Sequence, residues 1–274
     1  MADAIDRSDL AAALALGDHE MICLVGGGGK TTTLLALGRQ LTGRVILTTT
    51  TKMGLHRTGG FDVLWSPSDA EVANRGMKSD DVVASEGRAI GGAASEREVR
   101  TEVGVDTSGT TGLGRWARIA WSHEHGGKAV GPPPETVDRW FHLVDHVVVE
   151  ADGARRLPFK APAGHEPVIP SRATTVLAII GADALDRVIE DQCFRPMRVA
   201  AVAGCSPYQR LTPERAARVL ASADGSRRGV APSARFAVLI TKVATSNAAL
   251  ARATAAELAE RGVQAVQIRE APPP

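Results

Sequence analysis

Short apolar runs recur along the chain, and most of them are followed directly by glycine, hydroxyl-bearing or charged residues. Apolar runs of about 4–8 residues bounded by turn-forming residues are typical of strands buried in a parallel sheet. The predicted strands are residues 21–25, 45–48, 63–65, 144–149, 175–180, 236–240 and 263–268.

Between these runs, apolar residues return at helical spacing. The predicted helices are residues 10–14, 34–41, 135–143, 213–221 and 246–261. Thr212 is a suitable N-cap for one of them, and Gly262 ends another as a C′ glycine would. A further helix is predicted to begin near Ser66, with Pro67 in its first turn. Strands that alternate with helices predict an α/β fold, an open and mostly parallel sheet with helices on both faces.

One segment, residues 85–128, does not follow this alternation. It mixes glycine, threonine and charged residues with little periodicity, and residues 104–114 carry almost no apolar side chains. We interpret it as loop-rich, or as a divergent insertion with a short hairpin. The chain of 274 residues is otherwise predicted to form a single domain over residues 1–274.

A glycine-rich run joins the first predicted strand to the next helix. The run is Gly26-Gly27-Gly28-Gly29-Lys30-Thr31-Thr32. Glycines let backbone N–H groups turn inward around a phosphate, and the start of a helix adds unpaired N–H groups and a positive dipole end. Strand, glycine turn, Lys-Thr and helix are the order of a phosphate-binding loop, so the predicted fold is P-loop NTPase-like. Lys30 would reach the β/γ-phosphates, and the Thr31 hydroxyl would ligate Mg²⁺.

The spacing of this loop leaves the reaction open. The full G-x-x-x-x-G-K-[ST] form needs a glycine at position 24, where the chain has Leu24. The run fits a shorter form, G-x-x-G-K-T-T, which also occurs in ATP-dependent ligases of the Mur type. A nucleotide is therefore predicted, but the motif does not choose between hydrolysis, ligation and phosphate transfer.

An acidic turn follows the apolar run at residues 147–149. Glu150 ends the strand and Asp152 follows two positions later, before Gly153. A carboxylate at such a strand end can hold Mg²⁺ or orient an attacking water. We predict that Asp152 binds the metal and that Glu150 orients the attacking water or contacts a metal-bound water. The alternative is a strand that simply ends in a solvated acidic turn.

Two more polar segments follow predicted strands and are expected at the same edge of the sheet. Residues 48–51 are four threonines followed by Lys52, and Thr49, Thr51 and Lys52 are candidate contacts to nucleotide or Mg²⁺. Their β-branching would equally suit an extended strand without any such role. Thr241-Lys242 resembles part of a guanine-reading motif, but Ala244 stands where that motif has an aspartate. ATP is therefore slightly favoured over GTP.

Basic residues gather just after the acidic turn. Arg155, Arg156 and Lys160 follow it, and His165 and Glu166 come shortly afterwards. These residues are candidates for an anion-binding flap that holds a substrate or completes the γ-phosphate site. A solvated basic loop is the alternative interpretation.

Composition and charge narrow the function classes. The chain is 44% hydrophobic and 23% charged with a net charge of +1, which does not favour nucleic acid or a membrane surface as partner. The three cysteines lack metal-finger or redox spacing. No apolar run approaches the ~20 residues of a membrane span, and the first residues lack the layout of a signal peptide. A cytoplasmic protein is expected.

Taken together, these runs resemble the YqeC-like accessory proteins of selenium-dependent molybdenum hydroxylases. The resemblance is carried by residues 25–32, 47–52, 150–162, 165–170 and 181–185. The run Glu150-Ala151-Asp152-Gly153-Ala154-Arg155-Arg156 is its most specific part, and the resemblance covers about residues 10–65 and 134–270.

The resemblance implies a P-loop nucleotide-binding protein that works in the maturation of molybdenum enzymes. A molybdenum hydroxylase or a molybdenum-cofactor intermediate is the partner that it implies. Three hypotheses remain open: an Mg²⁺-dependent NTPase, a nucleotide-gated chaperone with little intrinsic hydrolysis, and a small-molecule ligase or kinase.

Overall fold

The computed structural model describes residues 4–56, 58–73 and 116–270. The strands are β1 (Glu20–Gly26), β2 (Arg44–Thr49), β3 (Lys52–Gly54), β4 (Val63–Trp65), β5 (Trp116–Trp121), β6 (His123–His125), β7 (Lys128–Val130), β8 (His146–Glu150), β9 (Phe159–Lys160), β10 (Thr175–Gly181), β11 (Cys193–Phe194), β12 (Arg235–Val243) and β13 (Gln264–Arg269). The helices are α1 (Leu10–Ala13), α2 (Lys30–Gln40), α3 (Asp69–Ala73), α4 (Pro134–Trp140), α5 (Ile189–Gln192), α6 (Pro196–Ala203), α7 (Pro213–Ala221) and α8 (Ala248–Glu260).

Eight strands form the central sheet, in the order β13-β12-β10-β1-β8-β2-β5-β4. Every neighbouring pair in it is parallel. The chain passes from β1 across β8 to β2, and later from β8 back across β1 to β10. The direction of the connections thus reverses around β1, and in open sheets the ligand crevice lies outside the carboxyl ends of the strands at such a point.

Helices cover both faces of this sheet, as the sequence predicts. On β1, Ile22 and Leu24 belong to the core beneath α1 and α2, which contribute Leu10, Leu34 and Leu37. The other three core residues of β1 face the opposite way and belong to a second core beneath α4, α6, α7 and α8. These residues are Met21, Cys23 and Val25. Because both faces of the sheet are buried, the sequences of these strands are continuous apolar runs rather than alternating apolar and polar residues.

The weakly periodic middle segment contains more regular structure than the sequence predicts. Residues 85–115 lie outside the described ranges. Beyond them, β5 is a full member of the central sheet, between β2 and β4. The predicted hairpin is present as β6 and β7, and β7 also pairs with β3 in a small antiparallel sheet. Ile119, Ala120 and Trp121 of β5 are buried in the two cores that flank the sheet, which docks this strand.

The start of α3 differs from its prediction by two residues. Ser68, rather than Ser66, caps this helix: its N–H and its hydroxyl donate to Glu71 Oε2 at 2.7 Å, and the Glu71 N–H donates back to Ser68 Oγ at 3.3 Å. This is a capping box. Ser66 instead has a φ of +46°, and its hydroxyl donates to the Ser122 carbonyl.

The described residues bear on two further features, membrane-spanning helices and the state of the cysteines. Within them, no helix has the length and apolar character needed to cross a bilayer. All three cysteines are free thiols. Burial raises the pKa of Cys193 to about 12, so this thiol is not an activated nucleophile.

The cap of α7 gives a direct test of the fold. Thr212 Oγ1 accepts a hydrogen bond from the Arg215 N–H at 3.3 Å. We expect Thr212→Ala to lower the free energy of unfolding by about 1 kcal/mol, because one N–H of the first turn loses its partner. Thr212→Ser keeps the oxygen and should remain near wild type. Urea denaturation measures both; equal losses in the two variants would contradict the capping role.

Candidate functional site

Polar residues from several strands meet at the carboxyl edge of the sheet, as the sequence predicts. Thr31 Oγ1 donates to Glu150 Oε2 at 2.9 Å, which joins the start of α2 to the end of β8. The Gly26 N–H donates to Asp152 Oδ2 at 3.0 Å, although the two residues are 126 positions apart. Thr241, on β12, donates to the Gly28 carbonyl.

The glycine loop has a backbone that side chains would block. Gly26, Gly28 and Gly29 have φ values of +95°, +78° and +125°, which L side chains rarely adopt. A Cβ on Gly28 would lie 2.2 Å from the Gly181 nitrogen, and one on Gly27 would lie 2.6 Å from the Leu157 carbonyl oxygen. The loop is therefore tightly confined between the end of β10 and the residues that follow β8.

Helix α2 starts directly from this loop. Its N-cap is Gly29, which has no side chain with which to satisfy the first N–H groups of the helix. These groups, together with the positive end of the helix dipole, form a site that suits an anion. Thr32 is exposed in this first turn, whereas Lys30 is 5% exposed.

Lys30 is held by the loop and by an acid. Its ammonium donates to the Gly26 carbonyl and lies 3.1 Å from Asp152 Oδ1. Both charged side chains are buried, so the attraction between them is poorly screened. The lysine that the sequence assigns to phosphate is therefore paired with one of the two predicted acids, while Thr31 contacts the other.

Asp152 begins a chain of alternating charges. Lys160 Nζ lies 3.0 Å from Asp152 Oδ2 and 2.7 Å from Glu166 Oε2, and its side chain is 1% exposed. It also donates to the Gly153 carbonyl at 2.7 Å. Arg195 then donates to the same Glu166 oxygen. Asp152 is buried and Glu166 is half-buried, and each of them contacts two cations, which offsets the cost of removing their charges from water.

These cations decide the ionisation of Glu166. Burial alone would raise the pKa of this carboxyl group. The hydrogen bonds from Arg195 and Lys160, together with their positive charges, outweigh burial and lower the pKa of Glu166 from 4.5 to about 2. Glu166 is therefore an acceptor with a fixed negative charge at neutral pH, not a proton donor.

The threonine segment after β2 is bonded mainly to main-chain groups. The hydroxyls of Thr48, Thr49 and Thr50 donate to the carbonyls of Ala120, Glu150 and Val168, each at 2.7 Å. Thr49 Oγ1 also lies 3.1 Å from Thr51 Oγ1. This arrangement holds β2 against its neighbours, and the nucleotide contacts assigned to Thr49 and Thr51 stay predictions.

The remaining sequence candidates lie at the margin of the site. Lys52 is exposed on β3. His165 has a 78% exposed side chain, and its Nε2 is 4.0 Å from Glu166 Oε1. Arg155 and Arg156 are exposed, with left-handed φ values of +49° and +66°. The Arg155 guanidinium carbon lies 5.3 Å from the centre of the Phe194 ring.

Sequence reasoning missed two residues of this site. Arg195 and Phe194 come from a segment between β10 and α6 in which the strand is two residues long. So short a strand has no periodicity to detect, and a single arginine before a proline carries no chemical signature. Their position depends on β11 pairing with β9, which aligns Phe194 with Lys160.

The oxygen ligands at the start of α2 fit magnesium. Among the described residues there is no group of three or more His, Cys, Asp or Glu side chains that could hold a metal alone. Thr31 and Glu150 supply one hydroxyl and one carboxylate within hydrogen-bond distance of each other. Mg²⁺ commonly takes one or two protein oxygens and completes its shell with waters and phosphate oxygens.

The fold and this edge define the class of protein. An open parallel sheet, with a glycine loop between its first strand and the next helix, is an α/β architecture consistent with a P-loop NTPase-like fold. The family model described as "YqeC protein" matches residues 22–197. The chain therefore belongs to the YqeC family, and the matched residues include the glycine loop, both acids and Arg195.

One curated relative supports this membership. It is the "Uncharacterized protein YqeC" of Escherichia coli (strain K12), 27% identical over 192 residues, which cover 68% of this chain and 62% of that protein. The chain thus spans less than two thirds of the length of this relative. No solved structure matches the chain.

The paired state of Glu166 predicts a pH dependence of stability. Because the folded-state pKa of about 2 lies below the ordinary 4.5, ionised Glu166 stabilises the fold fully above pH 4.5. This contribution is lost as the pH falls from 4.5 towards 2. We expect the loss to reach about 1 kcal/mol by pH 4 and about 2 kcal/mol by pH 3.

Urea denaturation at pH 7, 5, 4 and 3 measures this loss. In Glu166→Gln the free energy of unfolding should fall less steeply with acid than in wild type. Glu190→Gln is the matched control, since Glu190 is exposed and should follow the wild-type profile. Parallel profiles for wild type and Glu166→Gln would contradict the assignment.

Proposed function

We propose that this protein binds a nucleoside triphosphate with Mg²⁺ and hydrolyses it, and that it acts as an accessory factor in the maturation of selenium-dependent molybdenum hydroxylases. One observation carries the nucleotide part of the proposal. Two consecutive residues at the end of the glycine loop each contact an acid that follows the adjacent strand: Thr31 contacts Glu150, and Lys30 contacts Asp152.

The phosphates are proposed to lie along the glycine loop and the first turn of α2. Gly28 and Gly29 are partly exposed, and the helix start offers N–H groups that no side chain caps. Lys30 would leave Asp152 and the Gly26 carbonyl to neutralise the β/γ-phosphates. Such binding depends on positive charge and backbone donors rather than on the identity of the base.

The metal is proposed to be held by Thr31 and Glu150. Their oxygens lie 2.9 Å apart and could separate to admit an ion between them, with phosphate oxygens completing the shell. Magnesium there would neutralise charge on the transferring phosphoryl group. This assignment moves the metal from Asp152, where the sequence suggests it, to Glu150, because Asp152 is enclosed by two lysines whereas Glu150 faces the threonine.

Asp152 is proposed to position the loop and its lysine. It accepts the Gly26 N–H and pairs with both Lys30 and Lys160. With Lys160 still beside it, Asp152 would remain compensated when Lys30 moves to a phosphate. An acid with a single buried partner would be left unpaired at that moment, which is costly.

ATP is proposed over GTP, by a small margin. The segment after Thr241 lacks the carboxylate that pairs with guanine, since Ala244 occupies its place, and the Ala244 N–H donates instead to Asn247 Oδ1 at 2.8 Å. Nothing in this arrangement favours guanine.

The accessory role is proposed from the family context. Membership of the YqeC family, together with the resemblance carried by residues 150–162, supports a factor that handles a molybdenum hydroxylase or a molybdenum-cofactor intermediate. A net charge of +1 gives no reason to propose nucleic acid as a partner. A cytoplasmic location is proposed on the same context.

Lys30→Met tests nucleotide binding. We expect wild type to gain a few degrees in melting temperature with saturating ATP and Mg²⁺, because a ligand at ~100 times its Kd stabilises by about 2.7 kcal/mol. Lys30→Met should lose this gain and most of the turnover, because the phosphates lose their buried cation. Lys128→Met is the control, since Lys128 is exposed on β7. A wild-type turnover that persists in Lys30→Met would end the proposal.

The two acids can be separated by a second pair of variants. We expect Glu150→Gln to keep its stability but to lose most of the Mg²⁺-dependent part of ATP affinity, because one metal oxygen is lost. Asp152→Asn should lower the free energy of unfolding by about 3 kcal/mol, because it leaves two buried lysines under-compensated. Calorimetric titration with and without Mg²⁺, together with urea denaturation, measures both. If Asp152→Asn instead loses the Mg²⁺-dependent part of ATP affinity while Glu150→Gln retains it, the metal is held by Asp152.

A further inference from the structure

Several cations surround one aromatic ring beside the candidate nucleotide site. The guanidinium carbons of Arg195 and Arg155 lie 4.4 Å and 5.3 Å from the centre of the Phe194 ring, and Lys160 Nζ lies 5.7 Å from it. Cations are attracted to such a ring, but they repel one another. A ring that gathers three of them therefore marks a place where an anion would be stabilised.

The acids nearby do not compensate this charge. Glu166 is already shared between Lys160 and Arg195, and Asp152 is shared between Lys30 and Lys160. Within residues 4–56, 58–73 and 116–270, Arg155 takes part in no ion pair, and its guanidinium group lies over the Phe194 ring. The cluster thus carries more positive charge than its own carboxylates can neutralise.

The backbone of the arginine turn is unusual in the same place. Arg155 and Arg156 are consecutive non-glycine residues in the left-handed region, which L side chains occupy at a cost. Strain of this kind is retained where the surrounding structure holds a segment in a functional geometry. Here it turns two arginines outward, while Leu157 returns to pack against the glycine loop.

This turn is directly beside the proposed phosphate site. The Leu157 carbonyl oxygen would lie 2.6 Å from a Cβ on Gly27, and the Pro158 oxygen 2.9 Å from one on Gly28. The Gly181 N–H also donates to the Pro158 carbonyl at 2.9 Å. The residues that follow the two arginines therefore pack directly against the glycine loop, which puts the arginine turn beside the proposed phosphate site.

We propose that Arg155, Arg195 and the Phe194 ring form a second anion subsite, which takes a phosphoryl group. Guanidinium groups in general match phosphate oxygens in geometry, and a doubly charged group suits the uncompensated charge better than a carboxylate does. The phosphoryl group belongs either to a second substrate or to the end of the nucleotide. This inference rests on the proposed function, because it places the subsite beside a bound nucleotide.

The test is the binding of inorganic phosphate, measured by calorimetric titration at constant ionic strength. Phosphate is titrated into the full chain, both unloaded and loaded with ADP and Mg²⁺. We expect Arg155→Gln to weaken phosphate binding at least about tenfold, since a charge-assisted hydrogen bond is lost. Because Arg155 is exposed, the melting temperature of Arg155→Gln should equal that of the wild type. Arg252→Gln, an exposed arginine on α8, should bind phosphate as wild type does.

Loading the protein with a non-hydrolysable ATP analogue instead of ADP identifies the source of the phosphoryl group. If phosphate binds equally well to protein loaded with ADP and with a non-hydrolysable ATP analogue, the subsite takes a second substrate. If phosphate binds only with ADP, and Arg155→Gln also weakens the analogue, the subsite takes the terminal phosphate of the nucleotide. Either result supports the subsite.

Three other results would contradict the proposed anion subsite or the proposed function beneath it. Phosphate that binds wild type and Arg155→Gln equally, or that Arg252→Gln weakens as much, would leave no specific subsite. Acetate that binds as tightly as phosphate would exclude the phosphoryl class. If neither ADP nor ATP binds, the proposed function fails, and the titration of unloaded protein still decides whether Arg155 holds phosphate.

Discussion

The candidate site depends on the buried carboxylate of Asp152. It accepts the N–H of Gly26 at the entry of the glycine loop, pairs with Lys30 at its exit, and pairs with Lys160 from the next loop. Two regions that are distant in sequence, residues 26–30 and 152–160, are thereby brought together at one carboxyl group. A buried ion pair contributes little net stability compared with apolar packing, but it selects one arrangement, because any other leaves a charge unpaired in the interior. The shape of the glycine loop follows from that selection.

The central sheet makes this arrangement possible. Because β8 and β10 flank β1 on its two sides, the segment after β8 and the end of β10 reach the glycine loop from opposite directions. Asp152 and Leu157 approach it after β8, while Gly181, the last residue of β10, approaches it from the other side. The loop has glycines where these neighbours leave no room for a Cβ. Its composition therefore reflects close packing as well as the need to bind an anion.

Much of the fold could be predicted because it depends on local patterns. The sequence predicts the apolar strands β1, β8 and β10, the capped helix α7, and the order of strands and helices. Arg195 could not be found that way, because it reaches Glu166 only through the pairing of two strands of two residues each. The partners of Glu150 and Asp152 were equally out of reach. Spacing along a strand end places both acids near the loop, but only three-dimensional packing decides which one meets Thr31 and which meets Lys30.

The position of β1 has a consequence for synthesis of the chain. Its two neighbours in the sheet begin at residues 146 and 175, long after β1 itself has been made. Until then β1 has neither of its partners, and even β2 cannot pair with it, because β8 lies between them. An emerging chain that ends before β8 would thus expose an apolar strand with two open edges, the kind of segment that recruits chaperones or aggregates. The glycine loop is therefore made well before both of the strands that hold it in its working shape.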